Sequence, residues 1–339
     1  MRWDIFCRVI DNHGDLGVCW RLAADLASRG QHVRLWVDQP DALVWLAPAG
    51  AVGVEVRPWR EPFETCEPGD VVIEAFGCDP PPAFVASMAA RPRPPVWINL
   101  EYLSAESHAE RNHGLPSPVL RGPGAGLTKW FYFPGFTAAS GGLLRGPLPV
   151  ARRDGLADVG VALREGERVV SLFAYADAPF DALFDRLGDR PTLLVLAAGA
   201  SQGPALRAWQ RRSPGSLRAE PLPWMSQTDY DRLLAGCDIN IARGEDSIVR
   251  AMWAARPFVW HIYRQHDGAH APKLEALLDR LGADESLRTL WRAWNGLGPW
   301  PAALPEDAPW RALCGRWRDG LLCQTDLTSR LIAFVASKR

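Results

Sequence analysis

The chain has 339 residues, 47% hydrophobic and 23% charged, enough for two domains with full cores and too apolar for a disordered chain. Its 38 basic and 39 acidic residues leave a net charge of −1, which gives no global drive toward nucleic acid or an anionic membrane. The seven cysteines are an odd number with no CxxC pair, so thiols in a reducing cytoplasm are expected rather than a disulfide framework.

The N-terminus enters a strand pattern at once, over Trp3 to Ile10, with no leader-like segment. No apolar run approaches membrane-spanning length. Asp11 to Gly17 is a turn-rich break. Val18 to Ser28 follows at helical spacing, and His32 to Val37 returns as a strand. That is a βαβ unit, which implies a parallel sheet. Asp41 to Leu46 reads as a short helix and Phe84 to Ala90 as another. Val54 to Val56, Val71 to Phe76 and Val96 to Leu100 read as strands. Segments 121–126 and 140–152 are rich in Gly, Pro and Arg and flank the aromatic run Trp130 to Phe136, so a domain boundary is expected near residue 150.

The pattern then restarts. Val169 to Tyr175 and Thr192 to Ala197 are strands, with helices over Phe180 to Leu187, Ala205 to Arg212 and Tyr230 to Ala235. Asp238 to Ala242 is a strand, Arg243 to Ser247 a polar turn, the residues from Ile248 a helix, and Phe258 to Tyr263 a strand. Helices follow over Lys273 to Leu281, Ser286 to Trp294, Trp310 to Leu322 and Leu327 to Lys338. Two α/β halves of similar size imply a ligand site at the carboxyl ends of their strands.

Three places could carry chemistry. In the first half, Asp11 and Asp15 lie four apart among glycines, after a strand and before a helix. The pattern is not GxGxxG, and its acidity suits a cationic substrate or general-base work better than phosphate. The plainer alternative is that Asp15 only caps the helix. In the second half, Arg243 and Ser247 could meet a diphosphate at a helix start, while Glu245 and Asp246 could accept from sugar or ribose hydroxyls. There the plainer alternative is a helix N-capped by Asp246 or Ser247. Third, Phe173, Tyr175, Trp224, Tyr230 and Tyr263 are either core or a surface for a nucleobase. His266 and His270 are spaced i, i+4 without a metal motif, and neither GxSxG nor a P-loop occurs, so no metal is expected.

In chain order the sequence carries DIFCRVIDNHGDLGVCWRLAADL, INLEYLSAE, LPSP, WFYFPGF with GGLLR, SLFAY, QTDYDRLL and RGEDSIVRAMWAARPFVWHIYRQ. This set resembles the bacterial protein-arginine rhamnosyltransferases of elongation factor P, the EarP family, over nearly the whole length. The resemblance implies an α/β GT-B glycosyltransferase whose two Rossmann-like domains face one another across a cleft. Residues 1–150 would bind the acceptor and 151–325 the nucleotide sugar, with a last helix at about 326–339 packing back on the first domain. It further implies that L-rhamnose moves from dTDP-β-L-rhamnose, with inversion, to an arginine of elongation factor P, without metal or cofactor and in support of polyproline translation. Neither nucleic acid nor membrane would take part.

Carried over by motif, Phe173, Tyr175, Gln227, Tyr230, Arg243, Glu245, Asp246, Ser247 and Tyr263 would hold the donor, joined by Gly17. Asp15 would act as base, Asp11 as orienting acid, and Glu245 with them at the reacting centre. Trp224 and His13 depart from the family pattern, where Phe, and Phe or Tyr, are expected. Two other classes share this outline: a nucleotide-sugar 2-epimerase, which needs no protein acceptor, and a non-enzymatic binder of a translation factor, which needs no paired aspartates.

Overall fold

The structure is a computed structural model that describes residues 1–9, 13–63, 66–150, 152–212 and 215–339. The chain divides into two compact units, one of Met1–Gly146 with Leu322–Arg339 and one of Pro147–Leu321.

The first unit contains β1 (Arg2–Cys7), α1 (Gly14–Ser28), β2 (His32–Val37), α2 (Leu43–Leu46), β3 (Val54–Pro58), β4 (Val71–Ala75), α3 (Pro82–Ala89), β5 (Val96–Leu100), α4 (Ser107–Asn112), β6 (Pro116–Pro118) and β7 (Thr128–Tyr132). They form one sheet in the order β3-β2-β1-β4-β5-β7-β6, parallel except for β6. The order reverses between β1 and β4, which makes that edge the switch point of the sheet. β1 is buried on both faces, as parallel strands under helices are. Trp3, Ile5 and Cys7 join the core against α1, while Phe6 joins Trp36, Trp59 and Phe84 on the other face. Asp4 shares that second face. Its buried carboxylate accepts from Arg34 Nε and Nη2 at 2.7 Å, from Trp36 Nε1 at 2.9 Å and from the Gly69 amide at 2.6 Å. A buried charge so surrounded is fully satisfied.

The second unit contains β8 (Arg168–Leu172), α5 (Phe180–Leu187), β9 (Thr192–Leu196), α6 (Gln202–Gln210), β10 (Leu217–Pro221), α7 (Gln227–Gly236), β11 (Ile239–Arg243), α8 (Glu245–Ala254), β12 (Phe258–His261), α9 (His270–Leu281), α10 (Glu285–Trp294) and α11 (Asp307–Leu322). Its sheet runs β10-β9-β8-β11-β12, wholly parallel, and reverses between β8 and β11.

The last helix, α12 (Leu327–Lys338), belongs to the first unit. Leu327, Leu331 and Val335, spaced i, i+4, i+8, enter the same core as β1 and α1. Asp326 caps it, accepting from the Ser329 amide at 2.9 Å, and pairs with Arg29 at 2.8 Å. The chain enters α12 past Gly142, at φ 77°, where a Cβ would stand 3.0 Å from the Thr325 carbonyl oxygen. Only glycine suits both that conformation and that approach.

Several elements differ from the sequence reading. The aromatic run at Trp130, given no element from the sequence, contributes a strand: Trp130 to Tyr132 lie in β7, hydrogen-bonded beside β5. Strands β6 and β10 and helix α4 are additional. Gly244, not Asp246 or Ser247, holds the N-cap position of α8, and His13, not Asp15, that of α1.

Candidate active site

In each unit chemistry-bearing residues follow the strands that flank the sheet's switch point, joined in the second unit by residues of α7 and by Tyr263 after β12. In the first unit the segment after β1 leads into α1. Asp11 lies outside the described residues. Asp15 occupies the first turn of α1 and is 7% exposed. There the positive end of the helix dipole favours a carboxylate. Gly17 is buried one turn on, its amide donating to the His13 carbonyl at 2.9 Å. The neighbouring Cys19 thiol is pushed well up by Cys7, by burial and by nearby Cys78 and Asp15, so it stays protonated.

In the second unit the cluster is larger. β11 ends at Arg243, and Gly244 turns the chain at φ 71° straight into α8. Gly244 at the N-cap of α8 offers no side chain for capping, and the first-turn amides of a helix have no intrahelical acceptor. Arg243 is only 6% exposed. Its guanidinium carbon lies 4.6 Å from the centroid of Phe173 and 4.8 Å from that of Tyr175, the residues that follow β8. Both contacts are in cation–π range. The Phe173 amide continues the ladder onto the Ile241 carbonyl at 2.9 Å, and the Ala174 amide donates to Ser201 Oγ at 3.3 Å. The first-turn acids of α8 are also engaged. Glu245 pairs with Lys273 of α9 at 3.0 Å, and Asp246 accepts from Gln227 Nε2 at 3.2 Å.

Tyr230 packs edge-on against Phe173, centroids 5.9 Å apart. Burial pushes its hydroxyl well above the usual phenol range, with Ser247 pulling the other way, so it is a neutral group. Tyr263 follows β12, is exposed, and stands edge-on to Tyr175 at 5.8 Å. Phe173, Tyr175, Gln227, Tyr230, Arg243, Glu245, Asp246, Ser247 and Tyr263 thus gather at the carboxyl edge of the second sheet. Asp15 and Gly17 lie on α1 of the first unit. Trp224 is half exposed, near Gly199, where an added Cβ would meet Phe173 at 3.5 Å and Trp224 at 3.8 Å.

Sequence reasoning passed over Lys273, Ser201, Gly199 and the position of His261. A glycine three residues past the end of β9 was an available signal for Gly199. No local signal marked the other three. Among the described residues no group of three or more His, Cys, Asp or Glu could hold a metal ion, and no helix is long and apolar enough to cross a membrane.

A family model described as "Elongation-Factor P (EF-P) rhamnosyltransferase EarP" matches residues 3–336. A protein-arginine rhamnosyltransferase of Pseudomonas aeruginosa is 45% identical, with 98% of each chain covered. A solved structure concerned with EarP-mediated arginine glycosylation of translation elongation factor EF-P is 32% identical, covers 100% of this chain and 99% of its own, and superposes with a TM-score of 0.64. The Streptomyces glycosyltransferase SsfS6, solved with thymidine diphosphate, is 12% identical over 98% of this chain and 99% of its own with a TM-score of 0.57, a likeness of fold. This chain belongs to the EarP family of elongation factor P (EF-P) rhamnosyltransferases and is a glycosyltransferase of the GT-B fold.

Proposed function

We propose that this chain transfers L-rhamnose from dTDP-β-L-rhamnose to a guanidino nitrogen of one arginine of elongation factor P, inverting the anomeric carbon. The observation that carries the donor half is Arg243 beside the start of α8, its guanidinium against Phe173 and Tyr175. A diphosphate there meets a fixed cation, the amides of a helix start and the Ser247 hydroxyl. Gln227 and Tyr230 line the nucleoside side, and Glu245 and Asp246 accept from hydroxyls of ribose and sugar. With Arg243 and the helix amides meeting the diphosphate charge, the reading calls for neither metal nor cofactor.

The acceptor side follows from the chemistry of arginine. A guanidinium has a pKa of about 13.8 and is a poor nucleophile because its lone pairs are delocalised. A carboxylate pair can grip it, aim one nitrogen and take its proton as the C–N bond forms. Asp15 is the base in this reading and Asp11 orients. The C1–O bond to phosphate breaks, dTDP leaves, the proton passes to Asp15, and a single displacement turns the β-linked sugar into an α-linked product. The reaction belongs in the cytoplasm, where the modified factor would support translation of polyproline stretches.

The test is to incubate the protein with dTDP-β-L-rhamnose and elongation factor P and weigh the factor. A gain of one deoxyhexose supports transfer. A factor of unchanged mass with the sugar nucleotide intact would indicate binding alone, and an altered sugar nucleotide with no gain would indicate an isomerase.

A further inference from the structure

Arg243 and His261 are register partners on the adjacent parallel strands β11 and β12, so their side chains leave the same face of the sheet. Both meet Tyr175. Arg243 lies over its ring, and the His261 imidazole stands edge-on to it, centroids 5.1 Å apart at 72°. His261 also holds the backbone there: its Nδ1 accepts the Tyr175 amide proton at 3.2 Å. The far side of the imidazole leans on Trp294 of α10 at 5.2 Å, a ring that is itself 1% exposed. Trp294 therefore fixes His261, and His261 fixes Tyr175.

We propose that His261 is a positioning residue of the donor site, acting by holding the Tyr175 amide, and with it the ring, where Arg243 can stack on the ring; this rests on the assignment of Arg243 and Tyr175 to the donor. A cavity of about 510 Å³, lined by Tyr175, His261, Tyr263, Trp294 and Trp300 among others, borders the same ring. Without the bond Tyr175 has room to move into it. The acceptor role needs a lone pair on Nδ1, hence a neutral imidazole. Burial supplies that, lowering the pKa to about 4, with Arg243 and Arg264 adding to the effect and Asp177 opposing it.

Side-chain geometry gives a direct test. Asn carries its oxygen where histidine carries Nδ1, Gln carries its oxygen further out, and Phe keeps the ring without the acceptor. In steady-state transfer assays and dTDP calorimetry, His261→Phe should raise the donor KM and the dTDP Kd about tenfold, the order expected when a part-buried amide loses its acceptor. The KM for elongation factor P should not change. His261→Asn should restore donor binding to near the parent value and His261→Gln should not. Equal donor binding by the Asn and Gln variants would overturn the proposal, and that comparison stands even if the Phe variant fails to fold. Arg243→Ala serves as the control. If it weakens dTDP binding while His261→Phe does not, the positioning role alone falls. If it leaves dTDP binding intact, the donor assignment falls and takes this role with it.

Discussion

The guanidinium of Arg243 lies over two rings at once, 4.6 Å from Phe173 and 4.8 Å from Tyr175, at the point where β11 turns into α8. A flat, delocalised cation suits that place and a compact ammonium does not. Arg243→Lys should therefore fail to rescue the site although it keeps the charge. Calorimetry should give a dTDP affinity reduced roughly tenfold in Arg243→Lys and more in Arg243→Ala. Parent-like affinity in the Lys variant would mean that charge alone suffices.

In the proposed reaction Asp15 separates binding from proton removal. Its carboxylate lies in the first turn of α1 in the first unit, whereas the residues proposed to hold the diphosphate lie in the second. Asp15→Asn keeps the volume and removes the base. Transfer should fall about 10²- to 10⁴-fold, the usual contribution of a general base, with dTDP affinity nearly unchanged. Turnover close to the parent rate would take Asp15 out of that role.

How much the sequence discloses depends on how local each feature is. The inner strands of both sheets are legible because they are buried on both faces and read as apolar runs, with helices of period 3.6 between them. The edges are not. β6 is Pro-Ser-Pro, and β10 is partly exposed with Arg and Glu in it. β7 reads as an aromatic run because its neighbours in sequence are turn-rich. Within the site, Arg243 to Ser247 is legible as a turn because the whole device is contiguous. The N-cap is assigned wrongly because Gly244 reaches a positive φ that leaves no side chain for capping, while Asp246 and Ser247 look like better caps on composition. His261 and Lys273 are illegible for a different reason. Their roles come from strand register and from the approach of α9, which no local pattern encodes.

Two histidines give the fold a defined acid limit. His113 accepts the Phe133 amide proton on Nδ1 at 3.2 Å in the first unit, as His261 accepts that of Tyr175 in the second. Burial lowers each to about 4 from an ordinary 6.5, helped by Arg330 at His113 and by Arg243 and Arg264 at His261. Between those pH values the unfolded chain binds protons that the folded one refuses. Stability from these groups is thus complete above about pH 6.5 and falls as pH drops toward 4. Urea midpoints measured from pH 7 to 4.5 should decline, and His113→Phe, which cannot titrate, should decline less steeply. An unchanged slope would show that His113 does not contribute.

Helix α12 ties the end of the chain to its beginning. Leu331 is fully buried in the core shared with β1 and α1. Leu331→Ala removes its branched side chain there, and cavities of that kind cost about 2–5 kcal/mol. Two residues on, Ala333 is exposed on the other side of the same helix, so Ala333→Ser should change stability by no more than about 0.5 kcal/mol. Chemical denaturation should separate the two variants clearly. The dTDP affinity of folded Leu331→Ala should match the parent, since the residues proposed to hold the diphosphate lie in the second unit. Equal stability of the two variants would mean that α12 rests on the first unit without closing its core, and that the contacts of Leu327 and Val335 carry less than their burial implies.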